Sequence, residues 1–378
     1  MRVAILTSDN REGFKDYANP APRIGVAPEA LLQGFAALGN QVEVHVVSCL
    51  QNPAPSPEKI ADNIWYHGLH VPRIGWLRSG YLGCIRAVRR KLREIRPDLV
   101  HGQGTERDCA LCAAFSGFQN IVTIHGNMRA IAKYYQATPG SFHWVTAKLE
   151  TVAIKRTGSV FCNSAYTEGL VAPIAKRIWR VPNALRQPFF EQPLAAPGNS
   201  PVLLNIGEIF PRKRQLELLG IARNLHHRGL HFELKFIGAI PSKKTDYGER
   251  FLREVAVAQG AGYATYLGPM PVRDLINALD QASALVHCPS EEAFGLVVAE
   301  GLARNLKFFG SAVGGIVDIC HGVEGAEVFP NLAALEEGIA NWLKSNCPRP
   351  QTAKQTVQSR YAPEVVAMRH LEIYRSLV

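Results

Sequence analysis

Two successive runs of short apolar segments alternating with helix-period segments, split by a proline-rich stretch, constrain this fold more than any other feature. In the first run Val3–Leu6, Val42–Val47, Asn63–His70, Asp98–His101, Ile121–Ile124 and Val160–Cys162 are short and apolar, as strands covered on both faces are. Ala27–Leu38 has helical spacing, and Leu82–Ile95 puts Ile85, Val88, Leu92 and Ile95 on one face. The stretch 186–201, with Pro188, Pro193, Pro197, Gly198 and Pro201, has little periodicity and reads as a linker. The second run reads as strands at Val202–Ile206, Phe232–Ile237, Ala264–Leu267, Ala284–His287 and Lys307–Phe309. Its helices read as Arg212–His227, Tyr247–Ala258, Val272–Gln281 and Phe294–Ala303, and Pro363–Leu377 reads as a last helix. Such alternation predicts an α/β fold of two doubly wound, Rossmann-like domains, 1–185 and 202–361. Two such domains facing each other make a cleft at the carboxyl ends of their strands, where ligands bind.

A length of 378 residues suits two domains, and 47% hydrophobic residues supply two cores. Eight scattered cysteines, several in apolar runs, read as buried free thiols. The one close pair, Cys109 and Cys112, has no second pair at zinc spacing and reads as helix packing. The first residues enter a strand directly, without the pattern of a signal peptide, and no apolar run approaches the ~18 residues of a membrane span. A cytoplasmic location is the expectation. The net charge of +10 favours polyanions, which include nucleic acid, anionic lipid and diphosphates.

The chemistry concentrates in Cys288-Pro-Ser-Glu-Glu-Ala-Phe-Gly-Leu-Val-Val-Ala-Glu-Gly-Leu-Ala303. Leu296–Ala303 is apolar nearly all round, so its helix is buried, yet it contains Glu300. A buried carboxylate needs partners. Glu292 stands just before the helix, beside Phe294-Gly295, where a ligand can approach the backbone. Two carboxylates eight positions apart suit recognition of hydroxyls at two points of one ligand. The competing reading pairs Glu300 with a core cation and leaves Glu292 solvated.

This segment resembles the signature of the retaining GT-B glycosyltransferases of family 4 (glycosyl transferases group 1). Glu292 and Glu300 match its two glutamates, Phe294-Gly295-Leu296-Val297 its centre and Val313-Gly314-Gly315 its strand-end glycine pair, with Asp318 where Glu is commoner. The resemblance implies that Glu292 meets the donor sugar, that Glu300 meets ribose hydroxyls, and that backbone N–H groups between them face the donor. Asn205-Ile-Gly-Glu-Ile-Phe-Pro-Arg-Lys213 resembles the family's phosphate-holding loop. Lys213 fits its lysine, Glu208 departs from its arginine, and Arg212 or Arg214 is the candidate replacement. A solvated basic turn is the competing reading. Gly238 and Leu267-Gly268 look like the loops that frame the base, Arg180-Val-Pro-Asn183 like the family's Pro-Asn-Gly with Ala184 for the glycine, and Leu149-Glu150 like the end of the first domain. Gly25, before the first long helix, keeps one of two glycines that the family often has beside the donor phosphates; an ordinary loop glycine is the alternative. The helix at 362–378 looks like the family's last helix, which crosses back onto the N-terminal domain. His125, at the carboxyl end of a strand, matches the family's histidine near the reacting sugar. His101, Gln103 and Glu106 end the neighbouring strand and are the candidates for the acceptor side.

The implied activity is transfer of a sugar from a nucleotide-sugar donor to a glycan, lipid-linked or small-molecule acceptor. Lys213 would stabilise charge on the leaving diphosphate. The sequence holds no Asp-x-Asp, so no metal and no other cofactor is expected. Between positions 73 and 96, eight basic residues face one acid, Glu94. With Trp76, Leu77, Tyr81 and Leu82 nearby, Arg73–Arg96 could dock on an anionic membrane, peripheral to its inner face; a solvated helix face is the alternative. A nucleotide-sugar epimerase is the rival within this fold. A nucleic-acid binder, the rival suggested by charge, leaves Glu292 and Glu300 unexplained, so no nucleic-acid partner is expected.

Overall fold

A computed structural model of the chain describes residues 1–193, 195–196, 198, 200–241 and 246–378. Pro197 of the predicted linker lies outside them. The chain divides into two compact units, Met1–Arg186 with Tyr361–Val378, and Gln187–Arg360.

The first unit is built on β1 (Arg2–Leu6), β2 (Glu43–Leu50), β3 (Lys59–Ala61), β4 (Ile64–His70), β5 (Leu99–Gln103), β6 (Asn120–Ile124), β7 (Ser159–Cys162) and β8 (Ile178–Arg180). They form one sheet in the order β3-β4-β2-β1-β5-β6-β7-β8. All neighbours are parallel except β3 against β4. The chain winds outward from β1 in one direction and then, from β5, in the other. The switch point therefore lies between β1 and β5, where ligands collect in open sheets of this kind.

Helices cover both faces. On one face Val88, Leu92, Cys112 and Ile154 pack against Ala4, Val100 and Val122. On the other, Phe35 of helix Val26–Ala37 and Val366, Leu371 and Tyr374 of helix Pro363–Leu377 pack against Ile5, Val44 and Phe161. These two helices nearly touch at Gly34, where a Cβ would lie 2.1 Å from the carbonyl oxygen of Pro363. Only glycine allows that approach.

The second unit holds β9 (Val202–Ile206), β10 (Glu233–Ile237), β11 (Ala264–Gly268), β12 (Ala284–His287), β13 (Lys307–Ser311) and β14 (Ala326–Phe329). All are parallel, in the order β11-β10-β9-β12-β13-β14. The winding reverses between β9 and β12, and Asn205 ties the two strands by donating from Nδ2 to the Val286 carbonyl at 2.8 Å.

Three local differences from the sequence reading matter for the site. Arg212 does not begin the long helix: Pro211–Lys213 is a separate 3-10 turn, and Arg214, at φ 56°, leads into helix Gln215–His227. The helix expected from Phe294 starts at Leu296, because Gly295 takes a left-handed φ of 102°. The proline-rich stretch begins inside the second unit. Phe189 and Phe190 are buried there, and Arg304 donates to the carbonyls of Phe189, Glu191 and Gln192.

Candidate active site

The second sheet reverses at β9 and β12, and the loops leaving these two strands carry the charged groups. The loop after β9 delivers Lys213 and the loop after β12 delivers Glu292, and they meet: Lys213 Nζ lies 2.5 Å from Glu292 Oε2. His287, the last residue of β12, reaches the same oxygen with Nε2 at 3.1 Å. Arg212 pairs with Glu291 at 3.2 Å, while its carbonyl accepts the N–H of Ser290 at 2.9 Å. The basic turn is thus bound to the Pro-Ser loop at both side chain and backbone.

Burial would raise the Glu292 carboxyl, but the hydrogen bond from His287 and the charge of Lys213 outweigh it and hold it at about 2. Glu292 is a carboxylate throughout the neutral range. His287, pushed down by burial against the pull of Glu292, is 1% exposed. Sequence reasoning passed over His287; the available signal was its place at a strand end, five residues before Glu292.

The backbone around Glu292 is fixed from behind. Gly315 donates its N–H to the Glu292 carbonyl at 3.0 Å, and a Cβ on Gly314, at φ 52°, would sit 1.8 Å from that oxygen. The matched strand-end glycines therefore serve to let two loops touch. Glu300 is buried on helix Leu296–Leu302. Leu296 and Val297 are half-buried, whereas the Phe294 side chain is buried in the protein and its backbone packs closely against Gly315. Gly238 donates its N–H to the Gly268 carbonyl at 3.0 Å, tying the ends of β10 and β11. The Leu267 side chain lies elsewhere: it lines a groove of about 660 Å³ with Val202, Leu204, Lys235 and Asn277, none of them in the Lys213–Glu292 cluster.

In the first unit the strand ends gather a different set. His125 follows β6, and its Nε2 lies 2.8 Å from Gln103 Oε1, at the end of β5. Burial holds His125 at about 4, against the opposing pull of Asn183, so its ring is neutral at pH 7. The N–H of Gly126 donates to Glu106 at 3.1 Å. Glu150, 1% exposed, accepts from Thr105 Oγ1 at 2.5 Å and from the N–H of Met128 at 2.9 Å and Arg129 at 3.2 Å. It fixes the start of helix Met128–Tyr134, three residues past His125. Burial raises both Glu106 and Glu150. Gly25 is the N-cap of helix Val26–Ala37, with extended backbone and only Pro28 Cδ, at 3.8 Å, near a would-be Cβ. Among the described residues no contact demands glycine there.

Two expectations need correcting. His101 does not face an acceptor. It is fully buried, with its ring nitrogens 2.5 Å from the Tyr374 hydroxyl and 2.6 Å from Thr123 Oγ1, because β5 continues to Gln103 and keeps it in the core. In the basic stretch Trp76 and Tyr81 are buried too, Trp76 donating to the Val71 carbonyl at 2.9 Å. The apolar side chains exposed among these arginines are Ile74 and Leu82. Beyond His125 the sequence reading also missed an aromatic ledge. Tyr134, Tyr135, Phe142 and Trp144 are all exposed, and the Tyr135 ring stacks on His143 with centroids 4.7 Å apart.

Comparison with known proteins places these features. Residues 26–186 match the model of Glycosyltransferase Family 4 and residues 186–361 that of Glycosyl transferases group 1. Among solved structures, sucrose-phosphate synthase from Thermosynechococcus elongatus matches with a TM-score of 0.74 at 18% identity, covering 100% of this chain and 99% of that one. Anabaena HepE in complex with UDP and glucose matches at 0.70 and 13% identity, covering 100% of both chains. The apo lipopolysaccharide outer core galactosyltransferase WaaB matches at 0.70 and 13% identity, covering 99% of this chain and 100% of that one. Comparison with curated proteins gave no match. Two Rossmann-like units with parallel sheets and these matches define a glycosyltransferase of the GT-B type. The chain belongs to glycosyltransferase family 4. Among the described residues no helix is long and apolar enough to cross a membrane.

Proposed function

We propose that this glycosyltransferase takes its sugar from a nucleotide-diphosphate donor and passes it, with retention and without a metal, to a carbohydrate acceptor. The observation that carries the reading is the Lys213–Glu292 pair at the switch point of the second sheet. A lysine and a carboxylate held ionised in one place suit a ligand with a diphosphate at one end and hydroxyls at the other. Lys213 turns toward the diphosphate when donor binds, Glu292 accepts from the sugar hydroxyls, and Glu300 accepts from the ribose. Bond breaking puts negative charge on the leaving phosphate and positive charge on the ring; Lys213 stabilises the first and the Glu292 carboxylate the second. With no better-placed nucleophile identified, attack on the same face as departure accounts for retention. Neutral His125, hydrogen-bonded to Gln103, is the residue that the family resemblance assigns to the reacting sugar. Arg212, paired to Glu291, supplies the charge that Glu208 does not, with Arg214 beside it in the chain.

The acceptor reading rests on the exposed aromatic ledge, since the apolar faces of sugar rings pack on flat aromatic side chains. Among the structural neighbours, the HepE complexes contain UDP or UDP-glucose, and WaaB acts on a lipopolysaccharide core. A thermal-shift panel of UDP, GDP, ADP and their sugars tests the donor. A ligand at about 100 times its dissociation constant adds about 2.7 kcal/mol of stability. No shift with any nucleotide sugar would sink the proposal. Nucleotide release that needs an acceptor distinguishes transfer from epimerisation, and turnover is expected to be indifferent to added Mg²⁺ or Mn²⁺.

A membrane reading is favoured by Ile74 and Leu82, exposed among Arg73, Arg78, Arg86 and Arg90. Sedimentation with anionic liposomes at low salt tests it: binding lost in Leu82→Asp supports the patch, and no binding of the wild type ends the idea.

A further inference from the structure

Asp108 is an aspartate in a place where its side chain has little to do. It occupies the N-cap position of helix Cys109–Ala114, yet it accepts no backbone N–H from that helix. An N-cap aspartate ordinarily does so. The carboxylate turns instead into the first unit's core, where it is 5% exposed and accepts from its own backbone N–H and from the thiols of Cys49 and Cys112. Thiols are weak donors, and a buried carboxylate is costly without strong partners.

Cys49 comes from β2 and Cys84 from the first turn of helix Leu82–Ile95. The sulfurs of Cys49 and Cys84 and a carboxylate oxygen of Asp108 all lie within 4.8 Å of one another. Cys49 is 5% and Cys84 0% exposed. Cys112, one turn along from Asp108, brings its sulfur 3.8 Å from Oδ2.

We propose that Cys49, Cys84 and Asp108 hold a structural Zn²⁺, with Cys112 completing the tetrahedron. Zinc–sulfur bonds of about 2.3 Å at tetrahedral angles put ligand atoms roughly 3.8 Å apart. The three atoms need to close by no more than about 1 Å; Cys112, 3.8 Å from Asp108 Oδ2 but outside that group of three, has further to move to reach the ion. Zinc replaces the ligand thiol protons, which leave to solvent, and thiolate donors select it over harder cations. Three thiolates and a carboxylate leave two net negative charges, which the nearby positive charge of Arg107 tempers. The ligands come from three elements distant in sequence, so the Cys109-x-x-Cys112 spacing alone does not reveal them. Cys109 itself turns to Ser8, 3.9 Å from its hydroxyl. The site is separate from the Lys213–Glu292 cluster and does not depend on the proposed reaction.

The test is titration of the full-length, chelator-stripped and reduced protein with Co²⁺, which reports thiolate ligation by a near-ultraviolet charge-transfer band. The band is expected to saturate at one equivalent and to be displaced by Zn²⁺. Cys84→Ala removes it, Asp108→Asn weakens Co²⁺ binding at least about tenfold, and Cys109→Ala leaves it intact. Should Cys84→Ala not fold, the Asp108→Asn and Cys109→Ala pair still decides. No band at one equivalent with the cysteines demonstrably reduced, equal loss in Cys109→Ala and Asp108→Asn, or a Cys49–Cys84 disulfide as the resting form would overturn the assignment.

Discussion

The ends of the second sheet bring Lys213, His287 and Glu292 together as charged and hydrogen-bonded neighbours. The ends of the first bring together His125, Gln103, Glu106 and Glu150, where burial favours the neutral form of each titrating group. The two sheets wind alike about their central strands, so topology does not cause the contrast. It comes from what each loop offers its carboxylate. Glu292 receives a lysine and a histidine. Glu150 receives a hydroxyl, two backbone N–H groups and the Arg129 guanidinium at a longer 3.6 Å, which only partly offset desolvation. In the second unit close charged partners keep the carboxylate ionised; in the first, burial outweighs the weaker help its carboxylates receive.

The largest effect that separates the two units is expected at Glu292. Glu292→Gln keeps shape and removes the carboxylate, and kcat is expected to fall about 10²–10³-fold with the fold intact. Steady-state kinetics with circular dichroism checks this, and near-normal kcat would erase the contrast. Gln103→Leu, which removes the partner of neutral His125, is expected to cost less, about tenfold in kcat, with donor KM little changed.

Acidification sharpens the comparison. His125 has a folded value of about 4 against an ordinary 6.5. Its contribution to stability is complete above about pH 6.5 and is lost as pH falls toward 4. Glu292, at about 2 against an ordinary 4.5, contributes stability above 4.5 that is lost only as pH falls toward 2. Glu106 and Glu150, held high, act in the opposite sense, so the pH–rate profile is the cleaner readout. The acid limb of kcat/KM is expected near pH 4 to 5; a limb at 6.5 would mean that His125 titrates as if exposed. The smallest effect belongs to the ledge: Tyr135→Ala and Trp144→Ala are expected to raise acceptor KM about three- to tenfold, equivalent to roughly 1 kcal/mol, while donor KM stays put.

The sequence made Glu292, Lys213 and His125 conspicuous because each lies in a local pattern of glycine, strand end and charge. The alternation of strands and helices was equally plain, since each element carries its own period. What depends on distant neighbours was hidden. His101 looked like a strand end facing the acceptor, but the strand runs two residues further and Tyr374, distant in sequence, bonds to it. Trp76 and Tyr81 looked like surface anchors, yet they turn inward while Ile74 and Leu82 stay out. His287 gave only a faint sign, its place at a strand end five residues before Glu292; its meaning comes from the Glu292 oxygen it shares with Lys213, which arrives from the loop after another strand.

The closure of helix Pro363–Leu377 over Gly34 bears on how the protein is made. The first unit has its core around Phe35 and Phe161 covered by a segment made only after the whole of residues 187–360. Residues 187–360, lying between, have all their strands in hand earlier. The order of synthesis and the order of completion are therefore reversed: the first unit waits, with an apolar groove open, for a helix translated after the second.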